Sequence, residues 1–177
     1  MPVENATQER LMETRARALA TVLLTRREGT IVRDVDGTSD GSGIDLCVTL
    51  APEGKPGLRQ FGVGLKARLE PATAEQGNAW LRDPGRWPQL TGSGPFPFPV
   101  VVFFFTMRDG GAWYSWITEP VVEAGDKAKL PLRAEPDCQP LTDEALEEVF
   151  DRIDKWYDAH YAGLVSATGA KRSTRRE

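Results

Sequence analysis

A single histidine, two cysteines and no long apolar run narrow the chemistry open to this chain of 177 residues. An imidazole-activated serine or cysteine nucleophile would have to use His160. That residue lies in Trp156-Tyr157-Asp158-Ala159-His160-Tyr161, at the end of a predicted helix and far from any candidate nucleophile. Zinc sites of the histidine–cysteine type are disfavoured by the same shortage. Cys47 and Cys138 are too few for a disulfide framework and are not spaced as a metal-binding pair, so free structural thiols are expected. No glycine-rich phosphate loop followed by Lys-Ser or Lys-Thr is present. The longest apolar stretch, Phe98 to Phe105, has a strand's length, so no membrane span is expected. Met1-Pro2-Val3-Glu4-Asn5-Ala6 lacks the basic and apolar regions of a signal peptide, which points to the cytoplasm. A basic surplus is missing too: the formal net charge of −4 argues against a nucleic-acid coat protein. It leaves room for a nuclease whose acidic site sits in a locally basic groove.

What is present is an ordinary globular composition, 40% hydrophobic and 27% charged. It predicts one domain over residues 1–165 and a basic, disordered tail over 166–177 that ends Lys171-Arg172-Ser173-Thr174-Arg175-Arg176-Glu177. Residues 4 to 27 read as a helix in which Leu11, Met12, Leu19, Val22 and Leu23 recur at helical spacing, with Arg10, Arg15, Arg17, Arg26 and Arg27 on a solvated face. A strand over Thr30 to Val35 leads into the glycine-rich loop Asp36 to Gly43. After a hairpin come a short helix over Pro71 to Leu81 and an irregular connection over residues 82 to 97. Pro99 to Thr106 reads as a central strand flanked by the first and last helices, and the turn Arg108 to Gly111 joins it to a partner strand, Ala112 to Ile117. Residues 119 to 140 are proline-rich and should carry one short edge strand. The last helix, Thr142 to Tyr157, lays Leu146, Val149, Phe150, Ile153 and Trp156 along one stripe. The order makes an α/β sandwich with a mixed sheet of about five strands flanked by helices.

The hairpin between Gly43-Ile44-Asp45-Leu46 and Phe61-Gly62-Val63-Gly64-Leu65-Lys66 carries the chemistry. Side chains alternate between the faces of a strand. Ile44, Leu46, Val48 and Leu50 then share a face with Phe61, Val63 and Leu65, and Asp45 falls across from Gly64 or Lys66. Two readings stand side by side. One is an exposed Asp–Lys cross-strand pair, worth roughly 0.2–1 kcal/mol. The other is a minimal site for metal-dependent phosphodiester cleavage, in which a carboxylate holds a hard cation and a lysine steadies the charge developing on phosphate. Gly64 offers no side chain where a second acid would be expected.

Ser42-Gly43-Ile44-Asp45-Leu46, Phe61 to Lys66, Pro99 to Phe103 and Trp113-Tyr114-Ser115-Trp116-Ile117 together resemble the DUF4365 domain family over roughly residues 5 to 120. That family is similar to the PD-(D/E)XK nuclease superfamily, and the resemblance implies a restriction-endonuclease-like fold. It implies a metal ligand at Asp45, a catalytic cation at Lys66 and an accessory acid at Glu13, with Glu9 as second choice. The implied cofactor is Mg²⁺ or Mn²⁺, and the implied substrate DNA or RNA, in a bacterial defence or mobile-element setting. Two positions depart from the family: Gly64 replaces a glutamine or acid, and Thr49 replaces a glutamate. Asp36, Asp40 or Glu70 are the acids available to compensate. Two functions follow: a degenerate or weak Mg²⁺-dependent endonuclease, or a non-catalytic module that binds a partner protein or nucleic acid with the same fold. Trp80, Trp87, Trp113 and Trp116 read as binding aromatics under the second function and as core or rim packing otherwise.

Overall fold

The computed structural model describes residues 2–35, 43–55, 57–83 and 96–173, with side chains from residue 7 to residue 165 of these. Asp36, Asp40, Trp87 and residues 174–177 of the basic tail lie outside the described residues.

Helix α1 (Pro2–Leu24) precedes strands β1 (Thr30–Asp34), β2 (Leu46–Leu50) and β3 (Arg59–Arg68), which form an antiparallel meander. Helix α2 (Ala74–Leu81) crosses to β4 (Val100–Thr106), which runs parallel to β3. Strand β5 (Ala112–Thr118) returns antiparallel to β4. Then come the small hairpin of β6 (Val121–Glu123) and β7 (Lys127–Lys129), the edge strand β8 (Gln139–Pro140) and helix α3 (Asp143–Ser173). The mixed sheet has six strands in the order β1-β2-β3-β4-β5-β8. The proline-rich stretch therefore carries more strand than its sequence suggests. Helix α3 also runs well past Tyr157, into the segment read as tail.

Local sequence explains most boundaries. Thr73 and Gln76 form a reciprocal cap at the start of α2: the Thr73 hydroxyl accepts the Gln76 N–H at 3.3 Å, and Gln76 Oε1 accepts the Thr73 N–H at 3.0 Å. Gly54 turns the β2–β3 hairpin at φ +72°, a conformation that costs a glycine little.

The two faces of the sheet are covered unequally. Helices α1 and α3 pack on one face, over Leu46, Val48, Phe61, Val63, Phe103 and Phe105. Helix α2 covers part of the other, where Ile44, Leu81, Val100, Val102 and Ile117 gather. The central strand β4 is buried along its whole length, as expected. Its flanking helices differ from expectation, because α1 and α3 share a face and α2 supplies the second layer. Helix α1 also meets the sheet by a different stripe. Ala16, Ala20 and Leu24 are buried while Leu11 and Val22 are 65% and 59% exposed. Residues four apart share a helix face, and small alanines let the helix backbone come closer to the sheet than a leucine stripe would.

Buried charge ties α3 to the start of β3. Arg59, only 1% exposed, donates to the Asp154 carbonyl at 2.8 Å and to Asp158 Oδ1 at 2.5 Å. Arg27 donates to the Asp154 carboxylate, at Oδ2, over 2.8 Å. The Tyr157 hydroxyl donates to the Gln60 carbonyl at 2.7 Å and accepts the Gln60 N–H at 3.0 Å. A second ionic anchor lies at the end of β5, where Glu119 accepts from Arg133 Nε at 2.6 Å and also pairs with Arg152 of α3. Burial pushes the Glu119 carboxyl up, but hydrogen bonds from Arg152 and Arg133 outweigh it and hold the group below the ordinary glutamate range.

Two stability predictions result. Phe104 is fully buried and stacks on Trp80 at 5.0 Å between ring centres, so Phe104→Ala should cost about 3–5 kcal/mol in denaturant unfolding. A loss no larger than that of an exposed substitution would show that the α2 layer does not pack on β4. For Glu119, a depressed folded pKa means stabilisation fully present above the unfolded value, about 4.3. That stabilisation is lost as pH falls through the folded value. The unfolding midpoint should therefore drop on acidification below the unfolded value, and the drop should be shallower in Glu119→Gln; equal acid slopes would contradict this.

Candidate functional site

The site begins where one strand stops short of its neighbour. Gly43 adopts φ +69°, which favours glycine, and β2 starts only at Leu46, paired with Val63. The Asp45 N–H also donates to the Val63 carbonyl, at 2.9 Å. Two residues of one strand thus oppose a single residue of the other, the arrangement of a β-bulge. The extra residue breaks the alternation. Ile44, expected beside Leu46, lies instead in the α2-side cluster. It packs over Gly62, where an added Cβ would sit 2.9 Å from the isoleucine Cδ1. A larger residue at position 62 would oblige the Ile44 side chain to shift.

Beyond the bulge, β3 continues to Arg68 against β4 alone. The Gly62 N–H bonds the Pro99 carbonyl at 2.9 Å, and the Arg68 carbonyl accepts the Met107 N–H at 2.9 Å. Even-numbered residues of β3 thus direct their backbone groups toward β4. Leu65 and Ala67 direct theirs to the opposite, open edge, because successive peptide groups alternate in direction along a strand. The Leu65 N–H is met there by a side chain: it donates to Asp45 Oδ2 at 2.6 Å. A strand N–H lies in the plane of its sheet, so the Asp45 carboxylate lies along the edge of β3 and does not stand on a face beside Lys66. It closes the ladder that β2 leaves unfinished.

Arg17 of α1 completes this junction. Its guanidinium donates to the Asp45 carbonyl at 3.1 Å, lies 3.7 Å from Asp45 Oδ1, and pairs with Asp34 at 2.7 Å. The planar fork of an arginine suits several acceptors at once. Between Asp45 and Lys66 no ion pair forms among the described residues. The cross-strand pair suggested by sequence is thus replaced by Asp45–Arg17.

Glu13 and Lys66 do come together. With Glu9, Met12, Arg68 and Trp80 they line a cavity of about 370 Å³ at the open edge of β3. Glu9 and Glu13 belong to α1. Lys66 stands on the α2 face, since its partner in β4 is Phe104, on which Trp80 stacks. Asp45 does not line this cavity. Of the compensating acids, Glu70 pairs with Arg108 at 2.6 Å, and Asp36 and Asp40 fall outside the described residues. The Thr49 hydroxyl accepts from Gln60 Nε2 at 3.2 Å. Among the described residues, no group of three or more histidine, cysteine or acidic side chains converges as a metal cluster would. Mg²⁺ and Mn²⁺ take several oxygen ligands. Here one carboxylate is already held by an N–H and a guanidinium, and the neighbouring strand position is a buried glycine, Gly64. Among the described residues, the donor set does not fit the implied metal.

The remaining reactive groups are quiet. Burial raises the Cys138 thiol to about 11, with the Asp137 carboxylate adding to it, and burial also raises Cys47 against the pull of Arg33. Neither is a thiolate nucleophile near neutral pH. His160 stacks on Trp156 at 4.9 Å within α3. Trp116 is buried, Trp80 stacks on Phe104 and Trp113 packs on the α2-side cluster, so three of the four tryptophans pack into the fold. A larger cleft of about 660 Å³ lies between the β6–β7 hairpin and α3; two of its charged residues are engaged, Arg152 with Glu119 and Asp158 with Arg59 and Lys55. Arg17 is the residue that sequence reasoning missed, counted there among solvated arginines. Its signal was available, since it stands one helical turn beyond Glu13 on the same face.

Asp45→Ala leaves the Leu65 N–H without its acceptor and Arg17 without its second partner. The expected cost is about 1–3 kcal/mol, and Asp45→Asn, whose amide oxygen accepts the same N–H, should lose less. Urea unfolding of the two variants checks this, together with faster hydrogen exchange at the Leu65 amide in the alanine variant alone. Identical behaviour of the two variants would remove Asp45 from its role as a cap.

Among known proteins, no family model, no curated protein and no solved structure matches this chain.

Proposed function

We propose that this chain is a degenerate nuclease-fold module that works by binding and not by cleavage. One observation carries the reading: the carboxylate that would hold the metal, Asp45, is fastened to the Leu65 N–H and to Arg17. A cation entering there would have to displace a hydrogen bond and compete with a guanidinium of the same charge sign. Gly64 adds no ligand to offset either cost. Loss of one stabilising group in an electrostatically driven reaction typically lowers the rate by roughly 10²–10³. The order of elements, with an antiparallel β1–β2–β3 meander, α2 and a parallel β4, agrees with the restriction-endonuclease-like fold that the sequence resemblance implies. Fold alone does not establish activity. The surface between Glu9 and Glu13 of α1 and Lys66 and Arg68 of β3 carries both signs of charge and is suited to holding a charged partner.

The test is direct. The purified chain should show no Mg²⁺- or Mn²⁺-dependent cleavage of DNA or RNA above the level of Asp45→Ala, and calorimetry should detect no tight divalent-metal binding. Robust metal-dependent cleavage by the wild type, abolished in Asp45→Ala and Lys66→Ala, would overturn the reading in favour of an active endonuclease.

A further inference from the structure

We infer that the open edge of β3, from Leu65 to Arg68, is a docking edge for an extended peptide of a partner protein whose side chains alternate in charge. This deepens the binding role proposed above and rests on it. The backbone supplies the first half of the argument. The Leu65 carbonyl and both polar groups of Ala67 face the open edge, and among the described residues none is hydrogen-bonded there. Asp45 takes the Leu65 N–H, so the free groups begin where β2 and its cap end. An added strand would continue the line of β2 for about four residues, or roughly 13 Å.

Charge supplies the second half. Successive side chains of a docked strand would point alternately to the two walls of the edge. On the α1 side they would meet Glu9 and Glu13; on the α2 side, Lys66 and Arg68. None of these four forms an ion pair among the described residues. Arginines elsewhere are mostly engaged: Arg17 with Asp34, Arg26 with Asp143, Arg27 and Arg59 with Asp154, Arg133 and Arg152 with Glu119. Basic residues at one parity of the peptide would answer the glutamates, and acidic residues at the other parity would answer Lys66 and Arg68. A nucleic-acid strand, with one sign of charge throughout, would be attracted by one wall and repelled by the other. Met12, Leu65 and Trp80 give the aliphatic stems of such side chains an apolar surface to lie on.

The experiment uses the full chain and a capped synthetic peptide of about six residues alternating arginine and glutamate, read by fluorescence anisotropy. Its controls are a block peptide of the same composition, the alternating peptide N-methylated at every second amide, and single- and double-stranded oligonucleotides. The alternating peptide should bind about tenfold or more tightly than the block peptide, and N-methylation should abolish binding. Ala67→Pro removes an edge N–H but no bond to β4, and proline is tolerated at such positions; it should abolish binding while circular dichroism stays native. Glu13→Lys and Lys66→Glu should each weaken binding about tenfold. Equal binding of alternating and block peptides, insensitivity to N-methylation or to a folded Ala67→Pro, or absence of peptide binding would overturn the docking edge. Oligonucleotide binding lost in Lys66→Glu without peptide binding would overturn it in favour of nucleic acid. All these outcomes leave the absence of cleavage standing; metal-dependent cleavage would fail the parent reading on its own assay.

Discussion

The hydrogen bond from the Leu65 N–H to the Asp45 carboxylate marks where two neighbouring strands part company, and most of the site's character depends on it. Strand β2 reaches its last ladder pair at Leu46–Val63, whereas β3 keeps β4 company to Arg68–Thr106. An uncapped end would leave a strand N–H pointing into the space where β2 turns away. A carboxylate is a strong acceptor for that donor, and a charge-assisted bond is about twice as strong as a neutral one. Its negative charge also gives Arg17 a reason to reach down from α1. The guanidinium then joins α1, the end of β1 and the start of β2 in one cluster. The bulge that frees Asp45 for this role also sends Ile44 across to the α2 face, and Gly62 is the small residue that makes room for it.

The rest of the molecule holds this junction steady from both sides. Strand β4 is sealed by Phe103 and Phe105 toward α1 and α3, and by Phe104 toward α2. At the far end of β3, Arg59 is nearly inaccessible and donates to Asp154 and Asp158 of α3. Removing one partner from a buried ion pair is far costlier than the pair's net contribution, because it strands a desolvated charge. Strand β3 is therefore pinned at its start by buried charge and along its length by the ladder to β4. Its last residues are left with one free edge.

Much of this was legible in the sequence, and the exceptions have physical causes. The parity of β3 held, with Phe61, Val63 and Leu65 on one face and Lys66 on the other, because an unbroken strand obeys its two-residue period. The same rule misplaced Ile44. A bulge inserts one residue without changing the residue types around it, so no periodicity announces it. For α1, large apolar side chains were taken as the buried stripe, yet the helix packs through Ala16 and Ala20 and leaves Leu11 and Val22 outside. Hydrophobicity alone could not tell that close approach to a sheet is worth more here than side-chain size. Of the expected site residues, Glu13 and Lys66 share a cavity while Asp45 sits apart, fastened along the strand edge. The sequence names the acid, but not the arginine that would claim it from the opposite layer.

A guanidinium and a divalent cation answer the same carboxylate in different ways. The cation needs several oxygens converging on a point and keeps water for chemistry. The guanidinium spreads its charge over five fixed donors and leaves no open coordination position. With Arg17 beside Asp45, a second acid at position 64 would add negative charge with no further cation to share it, and Gly64 adds none. Beyond the Leu46–Val63 pair the edge of β3 is bare among the described residues, and a bare edge invites indiscriminate pairing with other chains. Charges flanking an edge are one of the ways proteins limit such pairing. Glu9 and Glu13 on one side, with Lys66 and Arg68 on the other, reject apolar strands and strands of uniform charge alike. What they leave admissible is a narrow class of extended partner, so the residues that protect the edge also define what can occupy it.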